Sequence, residues 1–409
     1  MIPLTLAQVA ALAPGELQAE PWAEEITGVE IDSRRIEEGD LFVAVDDGAA
    51  FAKHALARGA AATLLPVDGH AALAAIASAV RGRAQARVVG ITGSMGKTTT
   101  KDVLAAICST QVRTVAAERS FNNELGVPLT LCRLEEDTEL CILELAMRGF
   151  GQIASLCAFA RPDVGVVTSI APVHLEKVGS LEGIVRAKSE LLAALPPGGV
   201  AVVPADFAVD RDDLDVVRVG EEVQLEAFEP PLLRTSVGEF EVDFTARHLA
   251  ANAVTALATA QALGLELPPR IEVKFADWRN QELELPDGGL VINDAWNANP
   301  ISMRAALEHL AERAAGRRRV AVLGEMAELG DYAEEAHREV AQAIDELGVD
   351  LVVAVGPAAR AYGGRWVADA DEAAALLRDE LRPGDCVLVK GARALGLERV
   401  AEGLTVVQT

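Results

Sequence analysis

One segment constrains this chain more than any other: VVGITGSMGKTTTKD, residues 88–102. A β-branched apolar run enters a glycine turn, and Gly96-Lys97-Thr98 opens a stretch that reads as helix through Ser109. In that order of elements, the N–H groups of the loop and of the helix N-terminus face one point. A lysine adds positive charge there, and a hydroxyl can hold a divalent cation. A nucleotide phosphate with Mg2+ fits that chemistry. The spacing is short, because the commoner form places a glycine five positions before the Gly-Lys pair, where this chain has Ile91. The loop is therefore a compact variant built from Gly93, Ser94, Gly96, Lys97, Thr98 and Thr99, and the bland alternative is a chance glycine turn between strand and helix. Lysine is rare in the chain and arginine supplies most of the positive charge, which argues against Lys97 as surface filler.

The 409 residues exceed what one core usually holds and predict two or three domains. A formal charge of −25 excludes a general affinity for nucleic acid or anionic membrane. It leaves room for an anionic small substrate in a local basic pocket. The five cysteines form no CxxC pair and mostly sit in apolar runs, so buried reduced thiols are expected. No basic leader and no run long enough to span a bilayer is visible, and the expected location is cytoplasmic.

Three blocks are expected. Residues 1–83 mix short strands, such as 40–45, with a helix over 71–80, and Arg81-Gly82-Arg83 reads as a junction. Residues 84–287 alternate strands (112–116, 141–146, 164–170, 200–203) with helices (97–109, 151–159, 181–195), the pattern of a mostly parallel sheet. A less regular, proline-containing stretch covers about 204–245, before a helix at 248–263. Residues 288–409 repeat the alternation as a second open α/β sheet. The fold class is thus α/β in three domains.

Other residues carry possible chemistry. Glu144 ends an apolar strand, where open parallel sheets place their sites, and could reach a cation beside Thr98; a solvated terminal acid is the alternative. His174 follows the strand 164–170 at the same sheet edge, and Lys188 lies on an amphipathic helix that would ordinarily expose it. Asn122 and Asn123 form an amide-rich turn that binds phosphate or a carbonyl, or only its own backbone. Asp294 leaves a strand for a loop, either to meet ribose hydroxyls or to cap the helix that follows.

Taken together, these pieces resemble the Mur ligases, ATP-dependent amide-bond-forming enzymes of peptidoglycan precursor synthesis. Asp32-Ser33-Arg34 with 39–44 is similar to the family's UDP-sugar-binding block, and the loop 92–99 is similar to its compact phosphate loop. The segments 122–128, 174–182 and 187–190 follow in the family's order. Asn297-Ala-Asn299-Pro-Ile-Ser-Met303 looks like the member that adds the last unit. Segments 323–330 with His337, and 389–393, are similar to the rest of that C-terminal domain.

The resemblance implies a UDP-substrate domain, a central ATPase domain and a Rossmann-like C-terminal domain. It implies UDP-N-acetylmuramoyl-tripeptide and D-Ala-D-Ala as substrates, ATP, two Mg2+ sites and a monomer. Ser33, Arg34, Asn122, Asn123, Asn297 and Asn299 would bind substrate; Asn252, Arg279 and Asp294 would bind nucleotide, with His248 on the same helix as Asn252. Thr98, Glu144, His174 and a carbamylated Lys188 would hold metal, and Lys97, Lys188 and His174 would be catalytic. The alternatives are a related ligase with another acceptor or amine, and a non-catalytic nucleotide-binding homologue. The chain departs from the family's pattern at 145–153, where Arg148 adds a charge, at Trp296 in place of a common Tyr, and before Arg279, where a glycine is often found.

Overall fold

The computed structural model describes residues 1–172 and 175–406, apart from the side chains of Leu175, Glu176 and Val406. The chain divides into two compact units. The first contains 1–169, 185–243 and 252–274, and the second contains 170–184, 244–251 and 275 onward.

The first unit holds three sheets of four or more strands, besides the antiparallel pair Leu4–Thr5 with Glu25–Ile26. A four-stranded sheet runs Gly15–Ala19, Ala62–Pro66, Asp40–Val43, Gly28–Glu30, with only its first pair antiparallel. The helix Gly69–Arg83 follows it. Arg81, read from sequence as a junction, is the last turn of that helix and anchors it. Its guanidinium donates to Ala160 O at 3.0 Å and to Asp163 at 3.1 Å. A Gly between two Arg reads as a linker only until the partners for the arginines are known.

The second sheet is wholly parallel, in the order Asp215–Val219, Val200–Pro204, Val164–Val167, β1 (Arg87–Thr92), β2 (Leu140–Glu144), Thr114–Ala116. Its central strands are buried along nearly their whole length, which is why they read as unbroken apolar runs rather than alternating ones. The helix α1 (Lys97–Cys108) follows β1, and α2 (Leu181–Ala193) and α3 (Arg247–Ala262) lie further along the chain. Both α2 and α3 begin in the second unit and end in the first.

The stretch expected to be irregular forms a third sheet instead. Leu225–Glu229, Leu232–Thr235 and Gly238–Val242 make a meander, and Gly238–Val242 also pairs with Arg270–Ile271. These strands have four or five residues between Pro230-Pro231 and Gly238 turns, too few for alternation to stand out.

The second unit carries one six-stranded sheet, in the order Gln281–Glu284, β3 (Leu290–Asp294), β4 (Cys386–Lys390), Arg319–Gly324, Leu351–Val355, Arg365–Val367. Only the first pair is antiparallel. Period two assigns its residues to two cores. Leu290, Ile292, Ala321, Leu323 and Leu388 face one side, and Val291, Val320, Val322, Val387 and Val389 the other. The helix α4 (Pro300–Ala314) covers the first of these. It starts at Asn299, whose side chain accepts from Ser302 N at 2.9 Å while Ser302 Oγ accepts from Asn299 N at 3.0 Å. Asn299→Ala is therefore expected to cost about 1 kcal/mol of stability and Asn299→Ser much less, read as the urea midpoint of the whole chain.

Candidate active site

The site begins where β1 runs out. Gly93 adopts φ 149° and Gly96 φ 79°, so the loop turns twice through backbone that favours glycine. It is tied to the strand Val164–Val167 and the two residues beyond it. Ser94 N donates to Ser169 O at 2.8 Å, Met95 N to Ser169 Oγ at 3.0 Å, and Thr168 Oγ1 to Met95 O at 2.5 Å. A Cβ on Gly93 would fall 1.9 Å from Thr168 Oγ1, and one on Gly96 would fall 2.2 Å from Asn252 Oδ1. This packing explains both glycines and puts Asn252 of α3 against the loop. Gly96 is the cap of α1, whose first turn contains Lys97, Thr98 and Thr99. The Lys97 ammonium lies 2.8 Å from Gly93 O.

Beside the loop, Glu144 ends β2 with 1% of its surface exposed. Its carboxylate accepts from Thr98 Oγ1 at 2.7 Å and from Asn122 Nδ2 at 2.8 Å. The solvated-acid reading of Glu144 therefore fails, and three residues far apart in sequence meet at one carboxylate. Thr98 Oγ1 is also 3.2 Å from Ser120 Oγ. Asn123 instead serves its own turn, accepting from Leu125 N and Gly126 N.

Hard oxygens of this kind suit Mg2+, which usually takes one or two protein oxygens and completes its shell with phosphate and water. Thr98 and Glu144 fit that role. Among the described residues no group of three or more His, Cys, Asp and Glu is placed to hold a metal. His174 lies outside the described residues. Lys188 is 2% exposed, not the surface residue that an amphipathic helix suggests. Burial, reinforced by the positive charge of Lys97, pushes its pKa well below the usual lysine range. The Arg148 side chain is exposed, and its backbone N–H donates to Gln152 Oε1 at 2.6 Å.

In the four-stranded sheet's neighbourhood, Ser33 Oγ is 2.9 Å from His54 Nδ1, and Arg34 is paired with Asp32 at 2.7 Å. Hydrogen bonds from Arg34 hold the Asp32 carboxyl down at about 2.

In the second unit, Asp294 ends β3 opposite Lys390 at the end of β4. The two form an ion pair at 2.5 Å, and Lys390 also donates to Asn297 O at 2.9 Å. Asp294 accepts from Asn280 N, and so does not cap α4. Arg279 lies over Trp296, which stacks on Trp278 at 6.0 Å. Asn297 is exposed and accepts from its own Ala298 N. His248 meets His309 edge to face, and burial lowers its pKa to about 4.

Several groups were not singled out from sequence. Ser120 reaches Thr98, Lys101 holds the carbonyls of Ala117 and Arg119 beside it, and Lys390 holds Asp294. The one available signal was Lys101 itself, a lysine one helical turn beyond Thr98 in a lysine-poor chain. Glu282 gave no signal, because its partners come from two distant segments, Thr245 and the helix α4. It accepts from Thr245, from His309 Nε2 at 3.1 Å and from Arg313 at 2.7 Å.

Comparison with known proteins follows the same geometry. Residues 91–260 match the model of the Mur ligase middle domain, and 278–393 that of the Mur ligase glutamate ligase domain. A UDP-N-acetylmuramoyl-tripeptide–D-alanyl-D-alanine ligase of Mycobacterium bovis is 36% identical, over 99% of this chain and 98% of its own length. This chain belongs to the Mur ligase family. The ligase of that name from Escherichia coli is 33% identical over 99% of each chain. The family's three-domain α/β architecture is shared with MurF of Acinetobacter baumannii, at a TM-score of 0.83 and 29% identity, covering 98% of this chain and 99% of that one. MurF of Thermotoga maritima, solved with ADP, matches at a TM-score of 0.79 and 26% identity, over 92% and 97%.

Two outcomes follow. Gly93→Ala should abolish ADP binding, read by calorimetry, while circular dichroism still reports a folded chain. Burial alone would raise the pKa of Glu282, but its hydrogen bonds from His309, Arg313 and Thr245 prevail and hold it at about 2. A folded pKa below the unfolded one adds stability that is complete above about pH 4.5 and is lost as pH falls toward 2. After discounting for its partial exposure this is about 1–2 kcal/mol, so Glu282→Gln should flatten the acid limb of the stability profile in that window.

Proposed function

We propose that this chain is the ATP-dependent ligase that joins D-Ala-D-Ala to UDP-N-acetylmuramoyl-tripeptide in peptidoglycan precursor synthesis. The observation that carries it is that the likeness to ligases of that name runs through essentially the whole chain. A phosphate loop alone fits every ATP-using member of the family. The part of the chain that distinguishes amine substrates lies beyond it, around 297–303.

In this reading residues 1–83 bind the UDP substrate, with Ser33 and Arg34 at its anionic end. Residues 84–287 bind ATP, and in 288–409 Asn297 and Asn299 bind the amine. Asn252, Arg279 and Asp294 contact the nucleotide, and Asn122 and Asn123 the acceptor peptide. The tripeptide carboxylate oxygen attacks the γ-phosphorus, and the bond to the bridging oxygen breaks to release ADP and an acyl phosphate. The dipeptide amine then attacks the acyl carbon, loses its proton, and expels inorganic phosphate. Lys97, at the loop carbonyl, supplies positive charge to the phosphoryl oxygens, and the loop N–H groups orient them.

Bound Mg2+ neutralises phosphate charge, and Thr98 and Glu144 would hold it. Lys188 and His174 would serve a second site. A neutral amine is the form that adds CO2, and the burial that disfavours Lys188's charge makes it chemically suited to become a carbamate. The protein works as a cytoplasmic monomer, where nucleotide-activated substrates are made. Among the described residues no helix is long and apolar enough to cross a membrane.

ADP release measured with UDP-tripeptide and a panel of amines tests the assignment: turnover should require D-Ala-D-Ala, and indifference to it would sink the reading. Lys188→Ala should lose more than about 100-fold in kcat, the scale of losing an electrostatic group at the reacting centre. Short carboxylic acids should restore part of it, whereas wild-type-like turnover would exclude the carbamate.

A further inference from the structure

Lys101 is almost fully buried, at 3% exposure, in a helix that begins with the phosphate loop. Position 101 is one turn beyond Thr98, so the two side chains leave the same face of α1. Both meet the loop that follows the strand Thr114–Ala116. The Lys101 ammonium donates to Ala117 O at 2.7 Å and Arg119 O at 3.1 Å, and it pairs with Asp102 at 2.7 Å. An ammonium has three donors, and here all are used. Arg119 has φ 47°, a left-handed conformation that a non-glycine residue adopts only when its surroundings impose it. The next residues are the ones that matter: Ser120 Oγ reaches Thr98, and Asn122 reaches Glu144. Asn122 is in turn fixed by Ala146 N, which donates to its carbonyl at 2.9 Å.

We propose that Lys101 is a positioning residue that clamps the loop Ala117–Asn123 and thereby sets the Thr98–Glu144 oxygen pair for Mg2+-nucleotide binding. The proposal rests on the reading of that pair as the Mg2+ side of the ATP site. Lys101 touches neither oxygen. It acts through two backbone carbonyls, which its ammonium holds together. Asn122 turns its amide to one carboxylate oxygen of Glu144, leaving the other to Thr98.

The test is the Mg2+ dependence of ADP binding by the full chain, followed by calorimetry and needing no amine substrate. In Lys101→Met the Mg2+ concentration at half effect should rise about tenfold, the lower end of what groups that orient metal ligands contribute. ADP affinity without Mg2+ should hardly move. Asn122→Ala removes the positioned amide while leaving Lys101 and its three partners in place and should give the same shift, and the double variant should be no worse than either. A residue that merely stabilised the fold would lower the melting temperature and leave the Mg2+ midpoint in place. An unmoved midpoint, or additive effects in the double variant, overturns the proposal. If Lys101→Met does not fold, Lys101→Arg is read in the same way, because the larger head cannot hold both carbonyls at their present positions; an unmoved midpoint there overturns it too. Wild-type ADP binding indifferent to Mg2+ would instead be the failure of the site reading itself.

Discussion

The parallel register of two neighbouring strands underlies the site. Ile91 on β1 lies opposite Glu144 on β2, so the glycine turn and the carboxylate leave the same sheet edge at the same height. On the other side of β1, Thr92 pairs with Val167, which brings Thr168 and Ser169 to the loop backbone. Parallel strands all end at one edge, and each end is free to carry a functional group. The loop is thus held by one neighbour and faces the acid on the other.

That placement imposes a cost which the surrounding residues meet. A carboxylate at the depth of Glu144 is unfavourable unless its oxygens are hydrogen-bonded. Thr98 and Asn122 do this with one bond to each oxygen. The same hydroxyl that satisfies the acid in this state is the one that a phosphate-loop protein offers to a cation. The bond between them therefore keeps the hydroxyl and the carboxylate together, each oriented by the other.

Much of this was legible in the sequence because burial on both faces writes unbroken apolar strands, and glycine at a turn writes itself. The positions of β1, α1, β2 and four of the five parallel strands of the second unit follow from these signals. Glu144 at a strand end was visible as a candidate, but its partners were not, since contact between residues 98, 122 and 144 depends on strand order. Strand order is set by packing of crossover helices, which local periodicity does not record. The meander at 225–242 was missed for a different reason: strands of four or five residues between tight turns carry too few alternations to be told from loop. Asp294 shows a third case. Its place at the end of β3 was evident, yet the ion pair with Lys390 requires two strands more than ninety residues apart to be adjacent.

Lysine is scarce in this chain, and three of its lysines are buried, each with its charge accommodated differently. Lys390 is paired with a carboxylate from the neighbouring strand. Lys101 spends its donors on two carbonyls and the adjacent Asp102. Lys188 lies near another cation, and its charge is disfavoured there. Placing an ammonium in a core is expensive enough that selection for stability alone would favour an apolar residue of the same length. Arginine dominates the surface, so these lysines are not there to supply net charge. A compact, flexible cation that can also become a neutral amine is what arginine cannot provide. The first two sites use the compactness to reach a narrow target.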